Sequence, residues 1–179
     1  MPLLIPNLLV MGAQKSGTSS LHDALKQHPS VYMSTPWKEA SYFLPEPQLL
    51  NRIRHYKLDR ATDHQSLLDH YMLKEYAGEP LFGESSTDYS FGERPRAYGL
   101  PARIRDVQPR MQFIYIIRNP FERMLSAQRH NMGRHGRDQI GQILDGDATQ
   151  TAGLVKTSQY HYQLSAYLDD FDISQFHIV

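Results

Sequence analysis

Residues 8 to 29 read LLVMGAQKSGTSSLHDALKQHP, and the succession of apolar, glycine and hydroxyl residues in this stretch decides the fold. Leu8 to Met11 is a continuous apolar run that stops at Gly12, the pattern of a central strand in a parallel sheet, buried on both faces. The spacing then predicts a helix over Thr18 to Gln27, with Ser16 or Thr18 as its cap and His28–Pro29 as its stop. Gly12 and Gly17 have the G-x-x-x-x-G spacing of a phosphate loop. Glycines let backbone N–H groups approach an anion closely, and a helix start adds unpaired N–H groups and the positive end of a dipole. Ser16, Thr18 and Ser19 add hydroxyl donors. A nucleoside triphosphatase puts its lysine directly after the second glycine, where this chain has Thr18; the lysine here is Lys15, on the rising side of the loop. The bland alternative is a glycine-containing turn with a solvated lysine. Strand, loop and helix start agree with one another, which favours the phosphate loop.

Outward from this stretch, strands and helices alternate. Val31 to Met33 reads as a second short strand, and 36–47, with Pro36, Pro45 and Pro47, reads as loop. Helical patches follow at about 48–58 and 63–77, the second with Leu67, Leu68, Tyr71, Met72 and Tyr76 on one face. Leu81 and Phe82 open a third strand that runs into GESSTDYS, and 94–108 is helix-like. Gln112 to Ile117, QFIYII, is the strongest strand; it leads into RNPFERMLSAQRH, where Asn119 as cap, Pro120 at the first helical position and Glu122 signal a helix start. The 133–152 stretch reads as an exposed loop, 155–170 as a last helix with Tyr160, Leu164, Tyr167, Leu168 and Phe171 on one face, and Phe176 to Val179 as a final strand. The expected class is α/β, a parallel sheet flanked by helices, in one domain over residues 1–179.

The bulk numbers exclude several functions. Lysine plus arginine equals aspartate plus glutamate, at 19 each among 179 residues, so nothing electrostatic points to a nucleic-acid or membrane-surface partner. Without cysteine, disulfides, thiolate metal sites and cysteine nucleophiles are ruled out. The nine histidines show no short metal-ligand spacing, and no metal is expected. No apolar run approaches the roughly 20 residues that span a bilayer, and a cytoplasmic location is the expectation.

Three motifs fall at the C-terminal ends of expected strands, where open parallel sheets bind ligands: GAQKSGTSS at 12–20, GESSTDY at 83–89 and RNPFERMLS at 118–126. Arg118, at the end of a buried strand, suits bidentate phosphate binding, and Ser126 lies about two turns into the following helix. Read alone, Arg118 and Arg123 would merely balance acidic residues. Read with the first loop, they suggest two phosphate sites in one cleft, as a nucleotide phosphorylated at both ends of its ribose requires.

With KEASYF at 38–43, IIRNPFERMLS at 116–126 and the tail KTSQYHYQLSAYLDDFDISQFHIV added, the chain resembles the sulfotransferases that use 3′-phosphoadenosine 5′-phosphosulfate (PAPS), in their heparan-sulfate-type and bacterial branch. The resemblance covers nearly the whole chain and implies a phosphate-loop nucleotide-hydrolase-like fold. It implies that Lys15, Ser16, Gly17, Thr18 and Ser19 hold the 5′-phosphosulfate and that Arg118 and Ser126 hold the 3′-phosphate. It further implies that Ser158 and Tyr160 lie near the nucleotide and that Glu39 is the general base. Lys15 would stabilise charge developing on the bridging oxygen, which answers its unusual position. The bland reading of Glu39 is a surface carboxylate paired with Lys38. His22 reads as structural or exposed, and His130, one turn beyond Ser126, reads as non-catalytic. A lysine often follows the motif glutamate in this branch, and Ser85 stands in its place here. Family members are longer, so the domain is expected to lack a C-terminal segment. That leaves a PAPS- or bisphosphate-binding module without turnover as the alternative function, with a phosphate-loop kinase behind it. The acceptor is expected to be a small molecule or a carbohydrate, with Trp37 lining its pocket or covering the core, and the oligomeric state is not legible.

Overall fold

The computed structural model describes residues 4–146 and 151–179. Five parallel strands, β1 (Leu8–Gly12), β2 (Val31–Met33), β3 (Leu81–Glu84), β4 (Gln112–Tyr115) and β5 (Phe176–Ile178), form one sheet in the order β2-β3-β1-β4-β5. Helices α1 (Thr18–Leu25), α2 (Glu46–His55), α3 (His64–Leu67), α4 (Arg94–Ala97), α5 (Leu100–Val107), α6 (Pro120–His135), α7 (Gln139–Leu144), α8 (Thr151–Leu154) and α9 (Tyr160–Ser165) connect them. β1 is thus central, between β3 and β4, and the chain crosses over it from one side of the sheet to the other. Such a switch point opens a crevice beyond the strand's C-terminal end.

The alternation of a strand divides the core in two. Leu9 and Met11 of β1 face the larger cluster, with Phe82, Phe113, Tyr115 and the apolar stripes of α2 (Leu49, Ile53) and α5 (Leu100, Ile104). Leu8 and Val10 face a smaller cluster with Val31 and Met33, against which Leu21 and Leu25 of α1 pack. Each large side chain so buried contributes about 1.5–3 kcal/mol. On the β4–β5 side, Phe113 stacks on Phe176 with centroids 4.5 Å apart.

Several expected elements differ. No side chain caps α1: Gly17 takes the cap position at φ 103, which leaves the Ser16 and Thr18 hydroxyls out of that role. The proline-rich loop ends earlier than expected, because Pro45 and Pro47 flank the start of α2 rather than prevent it. The 63–77 helix begins as α3 and widens into a π-turn over Leu68–Met72, which still buries Leu67, Leu68 and Met72. Gly99, at φ 57, divides the 94–108 helix into α4 and α5. The 133–152 loop is largely helix where described, since α6 runs to His135 and Asp138 caps α7 through Gly141 N; residues 147–150 lie outside the described residues. The last helix is shorter than expected: a 3₁₀ turn at Lys156–Ser158 precedes α9. Within its apolar face Tyr167 and Phe171 are buried, whereas Leu168 is exposed. Asn119 caps α6 as expected, accepting from Phe121 N and Glu122 N.

Gly12, at the turn from β1 into the loop, has φ 140, and a Cβ there would stand 2.0 Å from Ser90 Oγ. That hydroxyl is itself fixed, donating to Met11 O at 2.7 Å. The Gly12→Ala variant is therefore expected to lose about 3 kcal/mol from backbone strain and overpacking. Urea unfolding measures this, and a loss below about 0.5 kcal/mol would show that neither effect operates.

Candidate functional site

Beyond the C-terminal end of β1 lies a cleft of about 720 Å³, lined by Gln14, Lys15, Gly17, Thr18 and Ser19 on one wall and by Lys38, Glu39, Arg52, Asp88 and Arg94 on another. His130 and Arg134 of α6 line it as well. This volume suits a nucleotide-sized ligand. Its lining holds five cationic side chains, Lys15, Lys38, Arg52, Arg94 and Arg134, against two carboxylates, Glu39 and Asp88. Such a balance favours an anion.

The loop wall is shaped for one. Lys15 sits at φ 68 and Gly17 at φ 103, left-handed positions of the kind that anion-binding nests use. The first turn of α1 contains no acidic residue and no side-chain cap, which leaves its N–H groups unclaimed by the chain's own anions. Ser16 Oγ is buried with no hydrogen-bond partner among the described residues. An unsatisfied buried hydroxyl costs about 1–3 kcal/mol; an anionic oxygen in the loop would relieve it, so the residues present fit a bound phosphate or sulfate group. Lys15 pairs with no carboxylate among the described residues.

The opposite wall is held by the end of β3. Glu84 is fully buried and accepts from Ser41 N at 2.7 Å and Tyr42 N at 3.0 Å, and also from the hydroxyls of Ser86 and Tyr89. Burial pushes its carboxyl above the ordinary value, and those four hydrogen bonds pull the other way. Ser85 N donates to Lys38 O at 3.0 Å, and Ser41 Oγ donates to Asp88 at 2.7 Å. The GESSTD motif thus grips the backbone of KEASYF and presents Lys38 and Glu39 to the cleft. The Ser85 side chain itself turns away: it is buried, with its Oγ 2.8 Å from His22 Nδ1. Burial lowers His22 to about 4, so its ring is neutral near pH 7 and structural.

Glu39 is 35% exposed along its side chain and bracketed by cations, with Arg52 Nη2 at 3.2 Å and Lys38 Nζ at 3.7 Å. Arg52 also pairs with Asp88 at 2.6 Å, and Asp88 with Arg94. The pairing of Glu39 with Lys38 expected of a mere surface carboxylate is present, yet both groups face the cleft. His130 lies close enough to Lys15 for that ammonium, after partial burial, to hold its imidazole below the ordinary value.

The remaining sequence-derived candidates lie elsewhere. Arg118, Ser126, Ser158 and Tyr160 are not among the described residues that line the cleft, nor is Ser16, although its neighbours Lys15 and Gly17 are. Arg118 donates to Glu122 from Nε at 3.1 Å and Nη2 at 3.0 Å, and its backbone N–H reaches Tyr160 OH at 3.4 Å. Ser158 is buried; its hydroxyl accepts from Arg123 Nε and donates to Pro120 O at 3.4 Å. Arg118, Tyr160 and Ser158 therefore gather around the start of α6, while Ser126 sits half-buried further along that helix. Arg123, fully buried, links the two groups by donating to Gln14 O of the phosphate loop at 3.4 Å. Trp37 is partly buried against the core and meets Tyr56, a cleft residue, edge to face at 4.8 Å.

Comparisons with known proteins give the family. The sulfotransferase family model matches residues 6–179, and the chain belongs to that family. It is 27% identical over 135 residues to the human protein named bifunctional heparan sulfate N-deacetylase/N-sulfotransferase 2, a match that covers 74% of this chain and 13% of that protein. The Caenorhabditis elegans bifunctional heparan sulfate N-deacetylase/N-sulfotransferase 1 is 22% identical over 184 residues, with 96% of this chain and 19% of that protein covered. The crystal structure of a sulfotransferase from Alicyclobacillus acidocaldarius superposes with a TM-score of 0.73 at 25% identity, covering 99% of this chain and 73% of that one. The chain thus spans less than a fifth of the curated relatives' length. The α/β class and the sulfotransferase resemblance read from the sequence are both borne out. Among the described residues, no helix is long and apolar enough to cross a membrane.

Proposed function

We propose that the chain transfers a sulfuryl group from PAPS to a hydroxyl or amine. The observation that carries this reading is the convergence on one cleft of Lys15, the start of α1 at Gly17, Thr18 and Ser19, and the Glu39 carboxylate. Ser16, Gly17, Thr18 and Ser19 would hold the 5′-phosphosulfate through backbone N–H and hydroxyl groups. Lys15 would neutralise the charge that develops on the bridging oxygen. Glu39 would take the proton of the acceptor as the acceptor's oxygen or nitrogen forms its bond to sulfur. As that bond forms, the bond from sulfur to the bridging oxygen breaks, and the electron pair stays with the 3′,5′-bisphosphate. Arg118 and Ser126 are assigned the 3′-phosphate, and Ser158 and Tyr160 the nucleotide's flank. The grouping of Arg118, Tyr160 and Ser158 around the start of α6, tied to Gln14 through Arg123, supports this assignment for those three. To reach a phosphate, Arg118 would exchange Glu122 for it; that i,i+4 pair is exposed and worth only about 0.3–0.5 kcal/mol. The acceptor is taken to be a small molecule or a carbohydrate, in keeping with the heparan sulfate in the relatives' names.

Calorimetric titration with 3′-phosphoadenosine 5′-phosphate, ATP and AMP tests the donor class. The bisphosphate is expected to bind at least about tenfold more tightly than either competitor, a difference of about 1.4 kcal/mol that one additional phosphate contact readily supplies. Equal binding of ATP would remove the reading.

A further inference from the structure

We propose that Lys38 is a catalytic residue whose ammonium grips the sulfuryl group in transit, while Lys15 acts at the bond being broken. The inference rests on the sulfuryl-transfer reading above. It starts from where the ammonium stands. Lys38 Nζ donates to Thr18 Oγ1 at 3.1 Å and Ser19 Oγ at 3.0 Å, the first two residues of α1, and lies 3.7 Å from Glu39 Oε1. It therefore occupies the space between the phosphate-loop end of the cleft and the carboxylate that would activate the acceptor. A group that leaves a nucleotide held by the loop for a nucleophile held at Glu39 crosses that space.

Its attachment is rigid. The Lys38 carbonyl accepts from Ser85 N at 3.0 Å, and the next turn of backbone is fixed by Glu84 through Ser41 and Tyr42. The cation thus reaches the cleft from the segment after β2, braced by the end of β3, independently of the loop that carries Lys15. Its present partners on α1 are neutral hydroxyls, which can rotate from accepting to donating. An arriving anion would then receive hydrogen bonds from both hydroxyls and from the ammonium, and a charged oxygen competes well against a neutral one for that ammonium. Burial holds the Lys38 ammonium below its ordinary value, with Glu39 opposing it, and an anion beside it adds to the effect of Glu39. In the transfer step Lys38 gives up no proton. It donates hydrogen bonds to the non-bridging oxygens of the sulfuryl group, whose bonding sulfur changes partner from the bridging oxygen to the acceptor.

The 3′,5′-bisphosphate lacks the sulfuryl group and separates this role from a structural one. In Lys38→Met, the bisphosphate is expected to bind within about threefold of wild type. Binding of PAPS should fall at least fivefold further than binding of the bisphosphate, and conversion of PAPS to bisphosphate with water as acceptor should fall roughly 30-fold. Lys38→Arg should recover part of both. If Lys38 only organises Thr18 and Ser19, bisphosphate and PAPS binding will weaken in parallel, and that result overturns the proposal, as does PAPS binding and conversion equal to wild type. Failure of the underlying donor reading is seen separately, in wild-type protein that does not prefer the bisphosphate to ATP.

Discussion

Lys15→Ala is expected to lower sulfuryl transfer by about 10³-fold, the upper end of what one preorganised donor at a developing negative charge contributes, while the protein stays folded. The reasoning runs from backbone to charge. Lys15 is held at φ 68 in a loop whose other groups are neutral donors, so its ammonium is the loop's full charge. No carboxylate among the described residues pairs with it, so none has to be displaced when a nucleotide arrives. The side chain is half-buried at the cleft wall and contributes little to the core; its removal should cost no more than about 0.5 kcal/mol. An arginine at this position is a poor substitute, because a planar fork cannot place one compact charge beside a single bridging oxygen. Turnover of PAPS together with the urea midpoint checks this. Undiminished turnover in a folded variant removes Lys15 from the chemistry.

Residues whose role depends on near neighbours in the chain were legible in the sequence; those whose role depends on a distant partner were not. The apolar run Leu8 to Met11, its glycine stop and the following helix announced the central strand and its loop, because strand burial and loop geometry are local. The start of α6 was legible for the same reason, as Asn119 caps within three residues. By contrast, nothing local says that Glu84 spends its buried carboxylate on the backbone of Ser41 and Tyr42, more than forty positions away. The GESSTD motif was read as a ligand-side motif, and the structure gives it a second task, presenting Lys38 and Glu39. Arg52 and Arg94 join the cleft from helices whose sequence shows only ordinary charged faces, whereas Asp88 falls within the GESSTDY motif. Element ends were misjudged where one residue overrode a pattern: Gly99 broke a helical run by adopting φ 57, and Gly17 took a cap position that hydroxyl residues on either side of it could have filled. The spacing of His130, one turn beyond Ser126, allows it to face the cleft, as it does, but its place beside Lys15 comes only from the tertiary structure.

That placement gives the assignment of the base its sharpest test. Glu39→Gln should lower transfer to an acceptor by about 10²–10⁴-fold, the range of a positioned general base, and leave bisphosphate affinity near wild type, because Lys38 stands between Glu39 and the hydroxyls of Thr18 and Ser19. The amide keeps the shape of the side chain and removes only its capacity to take a proton. It also removes the charge facing Arg52 and Lys38, yet Arg52 remains anchored by Asp88 at 2.6 Å and by the Glu39 carbonyl at 3.4 Å. The pair that is lost is partly exposed, so the fold should lose no more than about 1 kcal/mol. The competing base is His130, whose imidazole lies near Lys15 and is held below its ordinary value by burial and by that ammonium. A base there would sit at the phosphate-loop end, near the bond that breaks, whereas the acceptor's proton leaves from the other side of the sulfur. An in-line transfer therefore places the base across the sulfuryl group from the bond that breaks, the position assigned to Glu39. Full activity in Glu39→Gln combined with a large loss in His130→Asn would reverse that geometry and assign proton transfer to α6.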